Sequence, residues 1–235
     1  MAAAALVEGG ESLVRRQLVR LTRAHLIERH RPDRWRMHDL IRLYAAELGA
    51  TDGPAAELAF GPVVSCYRRD TSAAAGRFSA LPGQVVPAGF DTHDQAVARF
   101  EAERATVVAI VSRAGCQAAA VDIALDLARF LERVRYLEDW TATATAATQA
   151  ARELGDRHRE GGALTNLGAA LREVRRFDEA ITAHQQARDL FSELDDRHGE
   201  GNALGSLGTA LWVVRRFEEA ITAHRQVLRA RRPAR

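Results

Sequence analysis

The fold is decided by the stretch DRHREGGALTNLGAALREVRRFDEAITAH at residues 156–184, which returns as DRHGEGNALGSLGTALWVVRRFEEAITAH at residues 196–224. The second copy lies 40 residues after the first, and 21 of the 29 aligned positions are identical. Such a period is typical of stacked helical units, in which each unit packs on its neighbours. The C-terminal half is therefore predicted to be a helical repeat array.

Each copy predicts two helices joined by a short turn. The apolar positions of the first helix recur at helical spacing: Leu164, Leu167 and Leu171. Gly168 falls in mid-helix, where glycine costs about 1 kcal/mol relative to alanine, so a neighbouring helix is expected to approach closely there. Arg-Arg-Phe-Asp at 175–178 marks the turn, and Asp195 or Asp196 is expected to cap the next unit.

The pattern resembles the tetratricopeptide repeat (TPR) family. The residues that carry the resemblance are Leu-Gly at 167–168 and 207–208, together with Ala180 and Ala220 at positions where two helices touch. His184 and His224 stand where an aromatic residue is usual, and they are expected to make structural helix contacts. The 40-residue period exceeds the ~34 residues of the common repeat and suits a longer-helix variety.

A degenerate unit precedes the two copies. Its apolar residues Leu127, Leu131 and Val134 lie 40 residues before Leu167, Leu171 and Val174, and Trp140 takes the place of Ala180. The predicted units are 115–154, 155–194 and 195–235, which together form a domain at 115–235. No polar capping helix follows the last unit, so the stack is expected to be open, covered by a partner, or cut from a longer protein.

The differences between the copies predict a binding face. Six of the eight differences fall at 162, 165/166, 169 and 172/173 and their counterparts, which is one stripe of the first helix. A stripe that is free to vary is expected to face solvent or a ligand, and in the TPR family it lines the concave groove. The candidate contacts to a protein or peptide are Asn166, Arg172, Asn202 and Trp212. The alternative is that Trp212 and Val213 pack against a further helix.

The first 48 residues predict a small winged-helix module. Residues 12–25 read as an amphipathic helix, Leu26 to Glu28 and Trp35 to Met37 as two short strands, and a second helix opens near His38. The basic side chains of the first helix form a stripe: Arg16, Arg20 and Arg23. That stripe could contact DNA phosphates, whereas the simpler interpretation is a solvated or docking face.

This segment resembles the winged helix of STAND signal-transduction ATPases, the NB-ARC group. The resemblance rests on Trp35-Arg36-Met37-His38-Asp39-Leu40, within which Met37-His38-Asp39 matches the MHD motif. It implies that His38 would reach the β-phosphate of ADP if an ATPase module were present. The sequence contains no G-x-x-x-x-G-K-[ST] loop and no lysine, so the ATPase core would come from another chain or be missing.

Residues 49–114 are predicted to be a helical bridge, with a Pro- and Gly-rich loop near 81–93. The predicted fold class is therefore mostly all-α: a small winged-helix module followed by an α-solenoid of TPR helix pairs. This order of a winged helix, further helices and TPR repeats resembles the C-terminal part of actinobacterial STAND regulators.

Several classes of protein are disfavoured by composition. No apolar run approaches the roughly 20 residues of a membrane helix, and no signal peptide is recognisable, so a cytoplasmic location is expected. Two cysteines are too few for a disulfide framework. The histidines near the N-terminus follow no metal-ligand spacing, and no nucleophile has a partner base. We therefore expect no enzyme activity, no metal and no cofactor.

Three functional hypotheses remain. The first is a non-catalytic interaction or sensor region of a STAND-type regulator, binding its partner in the TPR groove. The second is a transcription regulator that binds DNA through the winged helix; a net charge of +2 gives it little support. The third is ADP sensing by His38 together with an ATPase module on another chain.

Overall fold

The computed structural model describes residues 10–31, 34–51, 53–79, 89–113 and 117–230. The chain divides into two compact units, Met1–Arg69 and Asp70–Arg235. The division falls within the predicted bridge, inside one continuous helix. Each unit is described by itself below.

The N-terminal unit is a helix, a hairpin and further helices. Helix α1 (Gly10–Arg23) leads to strands β1 (Ile27–Arg31) and β2 (Arg34–Met37), followed by α2 (Asp39–Thr51) and the start of α3 (Gly53–Ser79). The strands are antiparallel, with Ile27 opposite Met37. The order of elements is the one expected for the winged-helix module, while membership of a winged-helix family stays a prediction.

The C-terminal unit begins with the end of α3 and with α4 (His93–Val111), whose first turn is capped by Thr92 accepting from Gln95 N–H. An aromatic cluster joins α3 and α4 to the next helix: Phe78 lies 6.2 Å from Phe100 and 5.9 Å from Phe130, between ring centroids. Of the loop predicted at 81–93, residues 81–88 lie outside the described residues.

Six helices form the repeat array: α5 (Gln117–Val134), α6 (Leu137–Glu153), α7 (Arg157–Glu173), α8 (Phe177–Glu193), α9 (Arg197–Val213) and α10 (Phe217–Ala230). Each packs on the next, and α5 also contacts α7 as α7 contacts α9. Among the described residues, the second helices α6, α8 and α10 do not pack on one another to a comparable extent. The predicted α-solenoid of helix pairs is confirmed, and the row of first helices is its closer-packed side.

Interlocking residues hold the pairs at close range. A Cβ atom at Gly168 would lie 2.5 Å from His184 Cε1, and one at Gly208 would lie 2.7 Å from His224 Cε1. The close approach expected at the mid-helix glycine is therefore confirmed. Between repeats, Ile181 of α8 packs with Leu204 and Leu211 of α9 in one buried cluster.

Aspartate side chains cap the N-termini of the first helices α7 and α9. Asp196 accepts from His198 and Gly199 N–H, so it is Asp196 that caps α9, as Asp156 caps α7. The pKa of the Asp196 carboxyl is lowered from its usual value, chiefly because the Gly199 N–H stabilises its charged form. These caps fix the start of each first helix and thereby the register of the stripe that it presents.

Candidate partner-binding face

The predicted stripe lies on the first helices α7 and α9, which belong to the closer-packed row of the solenoid. A row of helices that touch one another is the inner side of a curved stack, because the helices on the outer side must spread. The stripe residues on α9 are uncharged and mostly exposed, whereas those on α7 are half-buried or buried. The two helices therefore offer different surfaces along the same side.

Asn166 lies inside the array, although the sequence predicts that its side chain faces solvent or a ligand. It is only 9% exposed, and its Oδ1 accepts a hydrogen bond from Trp140 Nε1 at 2.7 Å. Its Nδ2 is buried without a hydrogen-bond partner among the described residues. The expected exposure of Asn166 was therefore wrong: Trp140, which replaces the alanine of the other units, reaches across from α6 and covers it.

Arg172 is half-buried and engaged. Its Nη2 lies 3.1 Å from Glu173 Oε1, and the other Glu173 oxygen accepts from Arg135 Nη1 at 2.5 Å. The hydrogen bond from Arg135 is the main reason why the pKa of the Glu173 carboxyl lies below its usual value. Arg172 is thus part of a three-member ion network joining two repeats, in which it shares one carboxylate with Arg135.

Asn202 is exposed at the start of the α9 stripe. Its Nδ2 lies 3.1 Å from His198 Nε2, a hydrogen bond when that ring nitrogen carries no proton. Three residues further along the helix, a Cβ atom at Gly205 would meet nothing within 4 Å. The side chain of Asn202 therefore borders open backbone surface, to which an extended ligand chain could come close.

Trp212 is the largest exposed group of the stripe, with 59% of its side chain open to solvent. Its ring meets Phe217 edge to face, with centroids 4.9 Å apart, and Val213 beside it is also exposed. The contact with Phe217 restrains the indole without covering it. A restrained, exposed tryptophan is the kind of side chain that anchors protein interfaces.

The candidates in the N-terminal unit are all exposed. Arg16, Arg20 and Arg23 lie along α1. His38 stands between β2 and α2, with its Nε2 3.9 Å from a carboxylate oxygen of Glu28. One imidazole and one carboxylate do not by themselves form a cradle for phosphate groups.

Two features of the array were not foreseen. The first is the Trp140–Asn166 hydrogen bond, for which the exchange of Ala180 for Trp140 between units was a usable signal. The second is a row of left-handed residues at the ends of the first helices: Arg135, Arg175 and Arg215, with φ of 65°, 65° and 63°. Glycine is usual at such helix ends, so arginine there gave no sequence signal.

Comparison with protein families supports the repeat assignment. Residues 159–232 match the tetratricopeptide repeat family. The match covers α7 to α10, the helices that carry the stripe. These residues are TPR repeats, a class of module that binds other proteins. No curated protein matches the chain.

Within the described ranges, no three His, Cys, Asp or Glu side chains are grouped closely enough to hold a metal ion. Cys66 is half-buried and carries a free thiol. Among the described helices, none is long and apolar enough to span a membrane.

Proposed function

We propose that the chain binds a protein or peptide partner along the inner side of its TPR array, centred on Trp212 and Asn202 of α9. The observation that carries the proposal is the exposed, restrained indole of Trp212 on the row of first helices. Around it, α9 offers uncharged side chains and the open backbone at Gly205, so apolar burial and backbone hydrogen bonds would supply the affinity.

The contribution of α7 is different. Asn166 is buried and Arg172 is paired with Glu173, so α7 offers a ligand few hydrogen-bond donors that are not already engaged. We therefore place the main contacts on α9 and assign Arg172 a secondary, charge-bearing role. This ordering makes Trp212→Ala more damaging to binding than Arg172→Ala.

The wider role that we propose is that of an interaction or sensor region in a STAND-type regulator. It is supported by the helix–hairpin–helix order of the N-terminal unit and by Met37-His38-Asp39 at the junction of β2 and α2. In this proposal His38 would contact a nucleotide only in the presence of an ATPase module on another chain or elsewhere in a longer protein.

The experiment is affinity capture with the full chain from lysate of the source cells, with and without nuclease, followed by binding measurements with the purified partner. Trp212→Ala is expected to weaken binding roughly 30-fold, as expected for an interface anchor. Leu154→Ala is the matched control, because Leu154 is an exposed apolar residue off the stripe. Equal binding by both variants would exclude the α9 stripe.

A second candidate function is DNA binding through α1, favoured by Arg16, Arg20 and Arg23, all exposed on one helix. Binding through phosphate contacts falls steeply as salt rises, because counterions are released. Capture that disappears with nuclease and with Arg16→Ala/Arg20→Ala, but persists in Trp212→Ala, would replace the groove proposal with this one.

A further inference from the structure

The two near-identical repeats provide an internal template for one surface that is exposed among the described residues. In α8, Ile181 is 4% exposed and His184 is fully buried, and the cluster around Ile181 is built by residues of α9 in the next repeat. The same two residues recur in α10 as Ile221 and His224. There Ile221 is 39% exposed and His224 is exposed as well.

These residues belong to a continuous stripe, which we call the open face: Phe217, Ile221, His224 and Leu228. Their spacing of four, three and four residues places them on one side of the helix. Phe217 is 44% and Leu228 69% exposed. The stripe lies beside the side of α10 that packs on α9, which carries the buried Ala220 and Ala223. At the border between the two sides, Phe217 contacts Trp212 and the His224 ring lies against Gly208.

The charges beside the open face have a polarity along the helix. Glu218 lies near its N-terminal end, whereas Arg225 and Arg229 lie near its C-terminal end. None of the three makes an ion pair within the part of the chain that the structure describes; the neighbouring Glu219 is already paired with Arg216. On a helical wheel these three charges fall on the same flank of the open face.

A helix with this arrangement complements an antiparallel copy of itself. Reversing one helix against the other brings the acidic end of each beside the basic end of its partner, and charges on the same flank meet across an antiparallel pair. A twofold axis near the middle of the stripe sets Phe217 against the partner's Leu228 and Ile221 against the partner's His224. In this arrangement the apolar stripe of each copy packs on the stripe of the other, and the acidic end of each helix lies beside the basic end of its partner.

We propose that the open face of α10 is a homodimer interface, occupied by α10 of a second copy in antiparallel orientation. A twofold contact of this kind uses one surface of each copy and closes at the dimer. One helix face is small for a protein interface, so dissociation constants of roughly 1–100 µM are expected. The groove residue Trp212 lies outside the open face but contacts one of its members, Phe217.

The test is sedimentation velocity of the full chain over a concentration series spanning that range. A rise from monomer to dimer mass is expected, and monomer mass throughout would overturn the proposal. Leu228→Glu is expected to weaken dimerisation at least about tenfold, because it places a charge in the apolar stripe. Since Leu228 is largely exposed, the monomer should keep its fold, which circular dichroism checks.

Gln226→Glu is the matched control, because it adds the same charge to the same helix on the side away from the open face. Dimerisation should be unchanged. A dimer that survives Leu228→Glu, or one that Gln226→Glu disrupts equally, would show that another surface is responsible and would refute the proposal.

Orientation is tested by a charge exchange. Glu218→Arg alone and Arg225→Glu alone should each weaken dimerisation roughly fivefold, since each creates like-charge contacts at two symmetric positions. The double variant should restore dimerisation in part, because the unchanged Arg229 then faces an arginine at position 218. Single variants without effect, or a double variant weaker than either single one, would overturn the antiparallel pairing.

Discussion

The two repeats α7–α8 and α9–α10 share most of their residues and differ in what surrounds them. Ile181 and His184 lie inside the stack because α9 covers α8, whereas Ile221 and His224 face outwards from α10. In a repeat array, therefore, burial belongs to the interface between neighbours rather than to the residue type. The same substitution should have different consequences in the two repeats, which the isoleucine and glycine variants below test directly, while two further experiments probe single positions of the array.

The largest difference is expected for isoleucine truncation. Ile181→Ala removes a buried side chain from the cluster with Leu204 and Leu211, and it should lower the free energy of unfolding by about 2–4 kcal/mol. Ile221→Ala should cost less than about 1 kcal/mol in the monomer, because solvent already reaches that side chain. Urea unfolding at low protein concentration measures both. Equal losses would contradict the comparison.

The buried histidine predicts a pH dependence. Burial lowers the pKa of His184 from 6.5 to about 4, with the nearby charge of Arg172 adding to the effect. The folded state therefore favours the neutral ring, and its stabilisation is complete above pH 6.5 and is lost as the pH falls towards 4. The loss can reach about 3 kcal/mol.

The measurement is the free energy of unfolding at several pH values between 7 and 4. His184→Phe keeps an aromatic ring without a titrating group, so this variant should show a flatter profile across that window. A parent and variant with parallel profiles would mean that His184 does not control the acid sensitivity.

Replacing the mid-helix glycines by alanine should also change stability by different amounts in the two repeats. Gly168→Ala forces a Cβ against the buried ring of His184, which cannot move away, and should cost about 1–3 kcal/mol. At Gly208 the ring of His224 is exposed and can rotate outwards, so the gain in helix propensity of about 1 kcal/mol should offset most of the strain. Thermal unfolding of the two variants gives the comparison.

The smallest effect concerns the ends of the second helices. Asp195 adopts a left-handed φ of 53° at the position where the preceding unit has Gly155, with φ of 67°. Asp195→Gly should therefore raise stability by about 0.5–1 kcal/mol, and Gly155→Asp should lower it by a similar amount. Chemical denaturation of both variants is sufficient. If both variants changed the free energy of unfolding in the same direction, positions 155 and 195 would not be structurally equivalent in the two units.

Much of the fold could be predicted because the chain repeats itself. The 40-residue offset predicted the helices of each repeat and two candidate caps, Asp195 and Asp196; the structure confirms the helices and selects Asp196. The turn predicted at 175–178 ends earlier than expected, because α8 already begins at Phe177. The helix through Pro62 was less visible, since proline usually interrupts such an element: α3 continues across it. The hairpin strands were located to within a few residues by their flanking turn.

The candidate site was harder, because differences between repeats arise in two ways. Some reflect a free surface, as at Trp212. Others compensate for a neighbour: Asn166 accompanies Trp140, and Gly199 lies where a Cβ atom would approach within 2.4 Å of the Phe191 ring. At the position equivalent to Phe191 the preceding unit has Ala151, which leaves room for Arg159. Sequence alone does not separate the two causes.

The three tryptophans lie in different environments, so intrinsic fluorescence can report on separate parts of the chain. Trp140 is buried and hydrogen-bonded between α6 and α7, Trp212 is exposed at the end of the stripe, and Trp35 is half-buried in the hairpin. Their indoles should therefore emit at different wavelengths and respond differently to quenchers. Replacing Trp35 and Trp140 by phenylalanine would leave Trp212 as a single fluorophore, whose emission would report directly on occupancy of the groove.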